Sequence, residues 1–246
     1  MSWAPNQAEF NRAQLVTFLR AVDHNLSDPL TVIVIGGSAA ILGYNSPVRT
    51  SDVDLFESSG NDFEAFKTAS AAAREETGLA VGVEVATVAD IPDSYQDRVR
   101  EAKISGLENL TIAVPDKYDL ALSKTLRCMP HDVEAIAGIH ERHPFAIKIF
   151  VDRFESELLP IATMDRRILC MNVTMMAARL WGMDEAGKLA RRWGVTPPTG
   201  LLPKAISKRS TPRGHVAPPL PWQVTDSMAT PKSHSPQRRR LPRKRR

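Results

Sequence analysis

The first strong pattern along the chain places apolar residues at Phe10, Ala13, Leu15, Phe18, Leu19 and Val22, close to a 3.6-residue period, which predicts an amphipathic helix. A different pattern follows. Leu30-Thr-Val-Ile-Val-Ile35 is β-branched and does not alternate, and it lies between Asp28-Pro29 and Gly36-Gly37, so it reads as a buried central strand. Residues 38–42 predict a short helix, and residues 44–51, with Asn45, Ser46 and Pro47, a loop. Asp52-Val53-Asp54-Leu55-Phe56 then alternates polar with apolar, as a second strand would. Residues 62–76 have helical composition and stop at Gly78, and residues 79–85 and 107–114 predict two more strands. Pro115 is expected at the first position of a helix reaching about Cys128. From Asp132 to about Trp193 the pattern is helical throughout.

These elements predict an α/β (α+β) fold, a mixed sheet with flanking helices followed by a helical subdomain. The expected divisions are a core at 1–114, a helical part at 115–194 that completes the site, and a tail at 195–246. With 246 residues and 43% apolar content, the chain can bury a sizeable core. Charge sharpens the division. Residues 201–246 hold 12 Lys/Arg against the single acid Asp226, so this segment carries +11 and the rest −7, beneath a net charge of +4. The tail is rich in Pro, Ser and Arg and is expected to be disordered, either attaching to RNA or another polyanion or standing as a solvated extension. Only Cys128 and Cys170 are present, too few for a disulfide framework. No apolar stretch approaches the roughly 20 residues that cross a bilayer. The expectation is a reduced, cytoplasmic protein with no membrane span.

The candidate chemistry lies between the first two strands. Gly36-Gly37-Ser38 follows a strand and opens a helix, where adjacent glycines let backbone approach a phosphate and free amides face it. Asp52 and Asp54, at i and i+2, project to one side of the next strand, so both carboxylates can reach one hard divalent cation while Val53 faces the core. Taken singly, a glycine pair is commonly a tight turn and Asp-x-Asp a strand edge. Together they suit phosphoryl or nucleotidyl transfer. Arg49 and Thr50, beside the aspartate strand, are candidates to bind phosphate or orient Asp52, or simply loop residues.

On these residues, from Gly36-Gly37-Ser38-Ala39 through Arg49-Thr50-Ser51-Asp52-Val53-Asp54, the chain resembles the DNA polymerase β-like nucleotidyltransferase superfamily, and within it the small bacterial group related to AbiE-type toxins. The resemblance implies that Gly36, Gly37 and Ser38 hold the phosphates of an NTP such as ATP, with Arg49 a further nucleotide contact, and that Asp52 and Asp54 bind Mg²⁺ or Mn²⁺. A second patch, Asp119-Leu-Ala-Leu-Ser-Lys124 with Arg127 and His131-Asp132-Val133-Glu134, is similar to that group's later lysine and acidic cluster. It implies that Lys124 contacts the triphosphate and that Asp132 supports the metal or Lys124, although Ala135 stands where a further acid is frequent. Asp132 as a plain helix cap and Lys124 as a solvated lysine remain alternatives. Glu84, on the strand after the aspartate pair, competes for the third acidic role, and Lys117 competes with Lys124.

His131, His140 and His143 lack the partners and spacing of a zinc site. The expected reaction moves an NMP from an NTP to an acceptor hydroxyl, with tRNA or another RNA the first candidate and an antitoxin protein a candidate partner. The alternative is a binding module of the same fold that holds nucleotide or nucleic acid without turnover.

Overall fold

The computed structural model describes residues 8–56, 60–86 and 90–199, and these belong to one compact unit. The basic tail from Gly200 onward lies outside the described residues. Helix α1 (Arg12–His24) starts in a reciprocal cap: Asn11 Oδ1 accepts from Gln14 N and Gln14 Oε1 accepts from Asn11 N, each at 3.1 Å. There follow β1 (Leu30–Ile35), α2 (Gly36–Tyr44), β2 (Asp52–Phe56), α3 (Gly60–Thr77) and β3 (Gly82–Ala86). A 3-10 turn (Asp93–Arg98), β4 (Arg100–Glu101) and β5 (Leu110–Val114) complete the sheet region. The rest is α4 (Lys117–Thr125), α5 (Pro130–Arg142), α6 (Ile147–Arg153) running into a π turn (Phe154–Leu158), α7 (Arg166–Trp181) and α8 (Met183–Trp193).

The five strands form one mixed sheet in the order β3-β2-β1-β5-β4, antiparallel at β1/β2 and β4/β5 and parallel at β1/β5 and β2/β3. The predicted fold class is the observed one, and β1 is central, as its unbroken apolar run requires. Its two faces meet different environments. Val32 and Val34 join Val53 and Leu55 of β2 in the main core, together with Phe18 and Leu19 of α1 and Phe66 of α3. Ile35 and Phe56, on the other face, meet only a small cluster with Ile91 and Tyr95. Asp54 lies on this thinly covered face, because it opposes Ile35 across the antiparallel pair.

Several boundaries differ from the sequence reading. Asp116, not Pro115, starts α4: its Oδ1 accepts from Tyr118 N at 3.0 Å, while the Pro115 carbonyl lies outside the helix and accepts the Tyr44 hydroxyl. β3 begins at Gly82 rather than at 79, since Val81 N donates back to the Leu79 carbonyl in a tight turn. β5 begins at Leu110 because Asp23 of α1 ties down the preceding backbone, one carboxylate oxygen accepting from the amides of Glu108, Asn109 and Leu110 at 2.6–2.9 Å. The 3-10 turn and β4 were not foreseen. β4 has two residues, too few to show any periodicity.

The end of α4 is braced from outside. Cys128 takes a left-handed conformation, φ 46°, and its amide donates to the Lys124 carbonyl, which stops the helix and turns the chain into α5. Asn172 of α7 then donates from Nδ2 to the Thr125 and Leu126 carbonyls, at 2.9 and 3.3 Å. These are C-terminal carbonyls that α4 itself leaves unpaired. Asn172→Ala is expected to lower stability by about 1–2 kcal/mol, the usual result of stranding part-buried acceptors. Urea unfolding should show an earlier midpoint at an unchanged slope.

Candidate functional site

The antiparallel register carries β1 into its glycine turn directly beside β2. Gly36 has φ +71°, and a Cβ built there would lie 2.3 Å from Asp54 Oδ2. A Cβ on Gly37 would lie 2.9 Å from Thr50 Oγ1. Both glycines are therefore needed for the turn to touch the aspartate strand. Ile35, the N-cap of α2, makes no side-chain cap hydrogen bond, which leaves the first-turn amides to other partners. Ser38 is fully buried and its hydroxyl donates to the Ile35 carbonyl at 3.0 Å, so its side chain closes the turn rather than facing outward.

Asp52 and Asp54 share one side of β2, and Val53 between them is fully buried in the core. Their surroundings differ sharply. Asp52 accepts hydrogen bonds from the Thr50 and Ser51 hydroxyls, each at 3.0 Å. Asp54 receives none from the described residues. Burial pushes its pKa up to about 6, and the Asp52 charge adds to the effect; Lys124 opposes it, Glu84 reinforces it, and Arg127 opposes it. Glu84 pairs in register with Asp54 on the parallel strand β3 and is exposed.

The basic half of the site rests on Asp132, which is fully buried. Its Oδ1 accepts from Lys124 Nζ at 2.9 Å and Arg127 Nη2 at 2.8 Å, and its Oδ2 accepts from Arg127 Nε at 2.9 Å and Met129 N at 3.3 Å. Burial alone would raise the Asp132 pKa. The hydrogen bonds and charges of Arg127 and Lys124 outweigh it and hold the group down at about 2. Asp132 thus caps α5 and at the same time orients Lys124 and Arg127. The sequence reading gave Arg127 no role. The available signal was its position three residues after Lys124, one helical turn on.

The other candidates have partners of their own. The Arg49 guanidinium donates to the Glu9 carbonyl at 2.6 and 3.2 Å, holding the segment before α1 against the β2 loop. Thr50 takes the orienting part by bonding Asp52. Lys117 donates to the His143 and Pro144 carbonyls, at 3.2 and 2.7 Å, which separates it from Lys124. His140 Nδ1 accepts from Phe145 N and its ring stacks on Phe145, a packing arrangement. Asp119 is fully buried and paired with Arg98 and Arg153.

Residues 13–142 match the model of a family described as nucleotidyltransferase of unknown function (DUF6036), which is more than half of the chain. The chain belongs to this family. The matched span contains the glycine turn, both strand aspartates, Lys124, Arg127 and Asp132, whereas α6, α7 and α8 lie beyond it. No curated protein and no solved structure matches the chain. Among the described residues no helix is long and apolar enough to cross a membrane.

The aspartate pair of this family member fits a hard divalent cation. It offers oxygen ligands on one face, and Asp54, without a hydrogen-bond donor, bears a charge that burial and Asp52 both disfavour. Among the described residues no three His, Cys, Asp or Glu side chains close into a metal cage. Remaining ligands would come from substrate oxygens and water, as Mg²⁺ prefers.

Half-buried Asp54 and fully buried Asp132 are expected to act on stability with opposite sign. Because the Asp54 pKa is raised, its ionisation opposes folding increasingly as pH climbs from about 4 to about 6 and fully above that. Asp54→Asn should be more stable than wild type at pH 7.5 by on the order of 1–2 kcal/mol, a gain that fades on acidification. The Asp132 pKa is lowered, so its contribution is present above the ordinary carboxylate range and lost as pH falls toward about 2. Asp132→Asn should cost about 2–4 kcal/mol at neutral pH, since it strands Lys124 and Arg127. Metal-free urea titrations near pH 7.5 and pH 4 would check both.

Proposed function

We propose that the protein is an enzyme that transfers an NMP from an NTP to an acceptor hydroxyl and releases pyrophosphate. The observation that carries this reading is the proximity of the Asp52/Asp54 pair, whose Asp54 lacks a hydrogen-bond donor among the described residues, to two cations anchored on a buried acid. Asp52 and Asp54 would hold Mg²⁺ or Mn²⁺, which would supply positive charge against the negative charge that grows in the transition state. The glycine turn holds backbone amides of α2 toward a phosphate without a Cβ in the way. Lys124 gives one N–H to Asp132 and keeps two for phosphate oxygens. Thr50 and Ser51 fix the Asp52 carboxylate so that it meets a cation in one orientation. Glu84, exposed beside Asp54, is placed to accept the acceptor hydroxyl's proton.

The acceptor proposed is RNA, with a tRNA end the first candidate, on the strength of the resemblance to AbiE-type toxins. On that reading an antitoxin protein is the natural partner. The +11 tail supports RNA attachment, since residues 1–200 carry −7 and would not attract a polyanion themselves. Two free cysteines, both buried, accord with a reduced cytoplasmic setting.

The test is incubation of full-length protein with each α-labelled NTP, Mg²⁺ and total bacterial RNA, beside Asp52→Ala/Asp54→Ala. Label on RNA with wild type alone, lost on adding EDTA, is the expected result. Metal-dependent NTP binding with no transfer to RNA, protein or small hydroxyl compounds would make the protein a binding module instead.

A further inference from the structure

Arg127 has more donors than Asp132 uses. Its Nε and Nη2 form a fork on the buried carboxylate, while Nη1 bonds to none of the described residues and the side chain is 60% exposed. Lys124 already balances Asp132 one charge for one. The second cation therefore leaves the cluster with a net positive charge at the surface. Arg127 also lies near enough to Asp54 and Asp52 to feel their charges, which puts it on the side of the molecule that carries the aspartate pair.

A neighbour fixes its direction. Arg127 Nη2 lies 3.1 Å from His131 Nε2. A guanidinium nitrogen only donates, so Nε2 accepts and a neutral His131 carries its proton on Nδ1. Burial lowers the pKa of this imidazole, which accords with the neutral form. Arg127 is thus gripped at two points by Asp132 and at a third by His131, with one edge left open. A planar, always-charged guanidinium held this way is preorganised for the oxygens of a phosphate group.

We infer that Arg127 is a second contact to the phosphates of the substrate beside Lys124, and that His131 is a positioning residue that aims it. This rests on the nucleotidyl-transfer reading. A triphosphate retains negative charge after a metal ion has taken its share, and Lys124 spends one of its three N–H groups on Asp132. Arg127 supplies the missing donor. Contact with the β- or γ-phosphate distinguishes this role from plain support of Asp132, because an NMP lacks those groups.

The experiment is calorimetric titration of the full chain with the Mg²⁺ complex of the NTP it binds best and with the matching NMP. Arg127→Met is expected to weaken NTP binding about 10- to 100-fold, the range of a lost charge-assisted hydrogen bond, and to change NMP binding less than about 2-fold. Arg127→Lys, which keeps a charge on Asp132, guards against misfolding and should fall between wild type and Met. His131→Gln, whose side-chain oxygen can accept the same bond, should retain NTP affinity, whereas His131→Phe should lose part of it. Equal losses for NTP and NMP, or none for either, would overturn the inference and leave the transferase reading standing. If wild type binds no NTP, or binds it equally well as Asp54→Asn, that reading fails and this one with it.

Discussion

The close approach of Gly36 to Asp54 is the constraint around which the site is organised. A turn that comes within 2.3 Å of a carboxylate oxygen, measured to a Cβ that glycine lacks, at a positive φ, would displace the Asp54 carboxylate and strain the backbone with any other residue there. The antiparallel β1/β2 register sets that distance, and Val53 and Leu55 lock the register by filling the core from the opposite face. A slip of one residue would turn both aspartates into the core. Packing on one face of the sheet thereby fixes the chemistry on the other.

Asp54, Asp132 and Asp119 are all removed from bulk water, wholly or in part, yet they are treated differently. Asp132 is saturated with four donors and lies at the bottom of its titration range. Asp119 accepts from two arginines, although its burial still raises its pKa. Asp54 accepts from none of the described residues and has Asp52 beside it. The two fully buried acids are given cationic partners, whereas Asp54 has no hydrogen-bond donor among the described residues, a contrast on which the proposed metal site rests. The contrast is internal to one protein, which makes it stronger than the Asp-x-Asp pattern alone.

Much of this was legible in the sequence because it depends on local periodicity. The unbroken Leu30–Ile35 run, the glycine pair after it and the alternation around Asp52 and Asp54 each follow from the backbone geometry of strands and turns. What escaped is what depends on distant neighbours. The backbone partner of Arg49 is Glu9, 40 residues away, in a segment bridged through Phe10 to Thr50 just before β2. Ser38 looked available because it opens a helix, but the turn at Gly36 rotates its hydroxyl onto the Ile35 carbonyl. Lys117 and Lys124 share a helix face, and only the fold of the α5–α6 segment, which brings the His143 and Pro144 carbonyls to Lys117, separated them.

The same distinction bears on where the functional unit ends. The family match stops at residue 142, and every side chain assigned to the site lies inside it. Yet the end of α4, which carries Lys124 and leads into the turn that carries Arg127, has its loose carbonyls satisfied by Asn172, and Cys128 donates its thiol to the Asn172 carbonyl at 3.5 Å. Arg98, Asp119 and Arg153 likewise join the 3-10 turn and α4 to α6. The acidic half of the site is built by the sheet and would survive without these helices. The basic half rests on Asp132 of α5 and also on α7, because Asn172 pairs the Thr125 and Leu126 carbonyls at the end of the helix that carries Lys124. The helices beyond the match therefore supply the rigidity with which the two cations face the two acids.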